Sequence, residues 1–211
     1  MRQKKLGIVV VLILLLMFSS VALAAYNVTV WNDDTNSSNI YYMNGGVKAA
    51  RPTSMTGFAL ADFDSYATVG LNAWNNANCP AVWNTSYNVI CYGGTLAGLQ
   101  AIYGSTYQVD WRGLTVKGTT TKKGTATVNG VTRSIYQTAS AKVFLLYRPS
   151  AVGNLPALTA NHYKSTMVHE IGHCLAWAGH SNNNKDAMYH TGGTITTLTT
   201  RDKAHVQQMY Q

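Results

Sequence analysis

His169-Glu170-Ile171-Gly172-His173, running on through Cys174-Leu175-Ala176-Trp177-Ala178 to Gly179-His180, is the stretch from which the rest of this chain is read. Residues i and i+4 of an α-helix share a face, so His169 and His173 can hold one metal ion while Glu170 points beside it at a bound water. Glu170 is the only glutamate among the 211 residues, so no other glutamate can serve as ligand or base. Gly179 lacks a Cβ and can turn the chain out of the helix in a left-handed conformation, which swings His180 back toward the same ion. His162 lies seven residues before His169, on the same helical face, but at about 1.5 Å rise per residue it stands roughly 10 Å up the axis. It therefore reads as a solvated or capping residue, and His190 and His205 read as ordinary surface histidines.

Further along stands Asp186-Ala187-Met188-Tyr189. The run from His169 to Ser181, with this Met-Tyr, resembles the zinc-binding motif and Met-turn of the metzincin metallopeptidases, most closely the matrixin branch. Leu198-Thr199-Thr200-Arg201-Asp202, leading into Val206-Gln207-Gln208-Met209-Tyr210, is similar to the closing helix of that branch. The resemblance implies a zinc endopeptidase in which His169, His173 and His180 hold one zinc ion and Glu170 is the catalytic base. It also implies that Met188 has a structural role as a packed floor beneath the metal, and that residues 189–197 wall a side-chain pocket. One departure stands out. The family pattern is H-E-x-x-H-x-x-G-x-x-H, whereas here the third histidine falls one residue later and Ala176 occupies the glycine position. Either the helix runs one residue longer and Gly179 makes the turn, or the third ligand is an aspartate, Asp186 or Asp202.

Residues 1–24 read as a secretory signal: Arg2, Lys4 and Lys5, an apolar run, then small residues at Ala22 and Ala24 that suit cleavage before Ala25. An uncleaved anchor is the alternative, because the apolar run nearly spans a bilayer. Cleavage lowers the net charge from +8 to +5, and no dense Lys/Arg cluster points to nucleic acid. The expected setting is extracellular, with no stable membrane association after cleavage and a protein or peptide as partner; oligomeric state is not legible. Residues 25–211 contain no linker or repeat and read as one catalytic domain. Cys79 and Cys91 flank a short loop containing Pro80, and an oxidising compartment predicts a Cys79–Cys91 disulfide. Cys174 points away from the His173 face and reads as buried packing. Calcium is undecided: Asp33, Asp34, Asp62 and Asp64 are candidate ligands, but two short acidic pairs read more simply as caps and turns.

Periodicity predicts a first strand at 26–31 and a first helix from Asp64, where Tyr66, Val69, Ala73 and Ala77 recur at helical spacing. Strands follow at 107–116, at 125–136 with an Asn129-Gly130 hairpin turn, and at 141–147. The histidine-bearing helix begins between 159 and 165 and extends to about 178, with Val168, Ile171 and Leu175 as its apolar stripe. A last helix starts at Thr199, where Thr199-x-x-Asp202 is a capping-box-like start. The predicted fold is α+β and metzincin-like: a mixed, twisted sheet over the active-site helix, then a small C-terminal subdomain. A secreted binding or surface protein that keeps metal only for structure is the competing reading, and Glu170, which a structural zinc site does not need, argues against it.

Overall fold

The computed structural model describes residues 39–210 apart from Asn78, Asn129 and Ala178. The signal-like segment, the strand expected at 26–31 and the pair Asp33 and Asp34 lie outside the described residues. Thirteen elements follow in order: β1 Asn39–Tyr42, β2 Val47–Ala50, α1 Leu60–Asn75, β3 Ala81–Trp83, β4 Val89–Gly94, α2 Leu96–Tyr103, β5 Gly113–Lys117, β6 Thr120–Val128, β7 Val131–Thr138, β8 Ala141–Leu146, α3 Ala160–Leu175, β9 Ala176–Trp177 and α4 Thr200–Gln207. Together they make a mixed α/β architecture of two mixed sheets and four helices, among which no helix is long and apolar enough to cross a membrane.

The larger sheet has the order β3-β2-β4-β8-β5, parallel throughout except for the antiparallel edge strand β5. β8 shows why the sheet is covered on both faces. Its residues alternate, so Val143 and Leu145 enter the main core with α1 and α3, while Phe144 and Leu146 enter a second cluster with Leu99 of α2 and Tyr107. α1 and α3 pack closely because Gly70 lets the backbones approach: a Cβ there would lie 2.7 Å from the Met167 carbonyl oxygen. Trp74, fully buried, then donates its indole N–H to the Val168 carbonyl at 2.7 Å.

The smaller sheet, β6-β7-β1-β9, decides where α3 ends. The helix stops at Leu175 and Ala176 turns extended, with φ −154° and ψ 140°, so that β9 can pair antiparallel with β1. The Leu175 carbonyl, orphaned by that exit, accepts from Met43 N–H at 3.1 Å and from the Tyr210 hydroxyl at 3.0 Å. The helix expected to reach about 178 is thus shortened, and the extra residue before His180 is taken up as strand.

Other expectations are corrected too. α1 starts at Leu60, one turn ahead of Asp64, which is held instead by the Arg51 guanidinium. The strand expected at 107–116 is confined to β5, and α2 was not anticipated. The hairpin at 129–130 is present, with Gly130 at φ +77° between β6 and β7. Cys79, Cys91 and Cys174 are all buried free thiols, so the predicted Cys79–Cys91 disulfide is not formed. The sheet order explains this. Cys79 precedes β3 and Cys91 lies on β4, with β2 between them, and two strand spacings of about 4.8 Å exceed the reach of a disulfide.

Candidate metal centre

α3 starts at its N-cap Thr159, whose backbone N–H donates to His162 Nδ1 at 3.1 Å, so His162 is the capping residue expected and takes no part in the cluster below it. Three turns on, His169 and His173 project from one face of the helix. Beyond β9, Gly179 adopts φ +91°, and His180 folds back against them. The left-handed turn expected of Gly179 is therefore observed, although it follows a strand rather than a longer helix.

Ring centroids lie 4.4 Å apart for His169 and His173, 4.9 Å for His173 and His180, and 5.2 Å for His169 and His180. One ligand atom from each lies within 4.8 Å of the other two, and no other such group of potential ligands forms among the described residues. The donor chemistry fits zinc. His169 Nδ1 lies 2.9 Å from the Ala187 carbonyl, which can only accept, so Nδ1 carries the proton and Nε2 keeps its lone pair for a metal. Burial pushes the His169 pKa down, the Ala187 contact opposing it. Burial, then the charges of His169 and His180, hold His173 well below its ordinary range. Neutral imidazoles are the form that binds metal.

Asp186 and Asp202, the alternative ligands, are occupied in building the floor. Asp202 is fully buried and accepts from the N–H groups of Ala187 at 3.0 Å, Met188 at 3.2 Å and Thr199 at 2.9 Å. Thr199 returns the favour as N-cap of α4, accepting from Asp202 N–H at 3.1 Å, which is the capping box expected from the sequence. Asp186 accepts from the hydroxyls of Ser181 and Thr199 and lies 3.5 Å from Arg201 Nε. Met188 is fully buried under α3, and its sulfur would lie only 2.5 Å from a Cβ placed on Gly172. Met188 thus packs against the helix that carries His169 and His173.

Glu170 is 6 % exposed and faces β5. Thr115 Oγ1 lies 2.7 Å from its carboxylate Oε2 and 3.0 Å from its backbone oxygen, with one proton to share between them. Burial pushes the Glu170 carboxyl up to about 7, against the opposing pull of the Thr115 hydroxyl and the Lys117 ammonium. A Cβ at Gly113 would lie 2.5 Å from the Thr166 methyl and 2.8 Å from Glu170 Cγ, so only glycine permits this approach of strand to helix. No local pattern marks Thr115 or Gly113 as neighbours of Glu170, because the pairing spans more than fifty residues.

Between β5, α3 and the 189–195 loop runs a cleft of about 880 Å³ lined by all three histidines and Glu170. β5 is an edge strand. Arg112 O accepts from Leu146 N–H, and Gly118 N–H donates to Ser140 O, so the even-numbered residues bond to β8. By antiparallel alternation, the N–H and C=O groups of Gly113, Thr115 and Lys117 point away from β8, toward the open edge. His190, its ring tilted 55° against Tyr189 at 4.3 Å, lines the cleft wall, whereas His205 is fully buried on α4 rather than at the surface. Asp62 is exposed in the first turn of α1, and among the described residues no group of three potential ligands includes it or Asp64.

No protein-family model matches this chain, and no curated protein matches it in sequence. What the fold and site define is a mixed α/β protein bearing a three-histidine cluster that could hold a metal ion such as zinc.

Proposed function

We propose that this chain is a secreted zinc-dependent endopeptidase. The observation that carries the reading is the coincidence of three clustered imidazoles with a buried carboxyl poised near neutral pH, beside the edge strand β5. His169, His173 and His180 would hold the ion, which when bound supplies a Lewis acid that polarises a carbonyl and acidifies a water. Glu170 accepts the water's proton on Oε1, the carboxylate oxygen that Thr115 does not engage, and passes it to the leaving amine. Its pKa of about 7 suits both directions of that transfer, since a shuttle must neither hold nor refuse the proton at working pH. The Thr115 hydroxyl fixes the carboxylate rotamer at 2.7 Å. The outward main-chain groups of Gly113 and Thr115 align an extended peptide by strand addition, which demands little of its sequence.

Glu170→Gln keeps the shape of the side chain and removes the base. Zinc content and peptide cleavage, measured together on wild type and variant, test the reading: zinc should stay bound while turnover falls by about 10²–10⁴-fold. Activity within about tenfold of wild type overturns the assignment of Glu170, and absence of any cleavage by zinc-loaded wild type overturns the peptidase.

A further inference from the structure

Two arginines line the same cleft without a carboxylate to answer them. Arg112 immediately precedes β5, and Arg148 follows β8 two residues beyond Leu146, whose N–H bonds to Arg112 O at 2.9 Å, so the two side chains leave neighbouring strands at the same end. Arg148 is only 5 % exposed. Its backbone is fixed on both sides, N–H to the Tyr163 hydroxyl at 3.1 Å and carbonyl from Leu158 N–H at 2.7 Å. Of its five guanidinium donors, Nη1 bonds to the Val109 carbonyl at 2.6 Å, while the buried Nε has no partner. Arg112 Nη1 bonds to the Gly192 carbonyl at 2.7 Å, tying the 189–195 loop to the strand. Neither arginine forms an ion pair among the described residues. The acids of the cleft pair with neither: Glu170 bonds to Thr115, Asp186 bonds to Ser181 and Thr199, and Asp110, which lines the cleft beside Arg112, is exposed.

A buried guanidinium without a counterion is costly, and two of like charge side by side are more so; burial and the charge of Arg148 both push the Arg112 pKa down. A planar fork with free donors is the group that takes a carboxylate in bidentate fashion. Arg148 is anchored at Tyr163, six residues or about 9 Å along α3 from His169, with the cleft-lining Ser165 and Thr166 between them. An extended peptide advances about 3.3–3.6 Å per residue, so the side chain of a residue adjoining a bond held at the cluster extends toward that end.

We propose that the end of the cleft formed by Arg112, Arg148 and the 189–195 loop is a carboxylate-recognition pocket, so that the substrates are peptides with an acidic group next to the cleaved bond. This rests on the peptidase reading for its substrate class, but the pocket itself is read from the arginines. The carboxylate has two sources, a Glu or Asp side chain or a free chain terminus. Four matched peptides separate them: Glu or Gln beside the bond, each with a free or an amidated terminus.

Binding is measured by calorimetry on the zinc-loaded Glu170→Gln protein, and cleavage as kcat/KM on the zinc-loaded wild type. The expected result is a preference for the carboxylate-bearing peptide of at least about tenfold, equivalent to about 1.4 kcal/mol, in both measurements. Glu favoured over Gln with the terminus amidated assigns the side chain; preference only for the free terminus assigns that end instead. Arg112→Gln and Arg148→Gln should each bring the ratio close to one, with Arg148→Lys retaining part of it. Should Arg148→Gln fail to fold, Arg112→Gln, a partly exposed position, still decides. A preference that survives both substitutions overturns the pocket. Cleavage with no acidic preference overturns the pocket and leaves the peptidase standing, whereas acidic binding without cleavage does the reverse. Neither binding nor cleavage overturns both.

Discussion

Asp202 touches no histidine, yet its removal is predicted to weaken both the fold and the metal site. In Asp202→Ala the N–H groups of Ala187, Met188 and Thr199 lose their acceptor inside a fully buried pocket. A stranded buried donor costs about 1–3 kcal/mol, so three together cost on the order of 3–6 kcal/mol after partial relaxation. That is a large share of the roughly 5–15 kcal/mol that holds a domain folded, and Asp202→Asn, which keeps one acceptor oxygen, is the more tractable variant at about half the loss. The effect reaches the metal through Ala187. Its N–H is held by Asp202 and its carbonyl accepts from His169 Nδ1 at 2.9 Å, so a loosened turn frees the imidazole to rotate. Loss of such outer partners typically lowers metal affinity about 10–100-fold. Urea denaturation of metal-free protein and a chelator competition for zinc measure the two effects. Asp202→Asn indistinguishable from wild type in both would refute the reasoning that the turn is hung on this carboxylate.

Three further outcomes are expected. Gly179→Val should mimic loss of His180 in a zinc-binding assay, because φ +91° is a conformation a β-branched residue cannot readily hold; affinity within about threefold of wild type counts against the turn. For Glu170, whose carboxyl is raised from 4.5 to about 7, the folded state holds the proton more tightly than the unfolded state. Its contribution is therefore fully present below pH 4.5 and lost as pH rises through about 7, to a limit of about 3 kcal/mol. Metal-free wild type should lose stability relative to Glu170→Gln over that range, and parallel pH profiles would rule this out. Finally, alkylation of unfolded, unreduced protein should label all three cysteines, since each is a free buried thiol; a mass two hydrogens lighter with one label would reinstate a bridge.

What the sequence reveals of this molecule is what short-range geometry controls. The i, i+4 pair His169 and His173, the glycine turn at 179 and the capping box of Thr199 with Asp202 are each decided within a few residues, and each is found as read. β8 and the β6–β7 hairpin were legible for the same reason. The misreadings lie where a distant partner intervenes. α3 ends at Leu175, where Met43, 132 residues away and just after β1, and Tyr210, 35 residues away, donate to its last carbonyl and β9 pairs with β1. The cysteine pair looked bridged in sequence until β2 was inserted between their strands. Thr115, Arg112 and Arg148 gained their place beside the site only through the β5–β8 pairing, which no local pattern announces. α2 was the avoidable omission, since Thr95 as N-cap and Gly104 after the helix are ordinary boundary signals.

The bond from Tyr210 to the Leu175 carbonyl, together with the grip of Asp202 on Ala187 and Met188, bears on when the site comes into being during synthesis. The histidine motif leaves the ribosome before either residue does, because Asp202 follows His180 by 22 residues and Tyr210 follows it by 30. Until Asp202 and Tyr210 emerge, the chain between His173 and His180 has no anchored exit and His169 has no fixed carbonyl to orient it, so the triad cannot close on an ion. Assembly of the three-histidine cluster is thereby deferred until residues 202–210 have emerged, and a polypeptide cut short of them carries the full histidine motif without the arrangement it encodes.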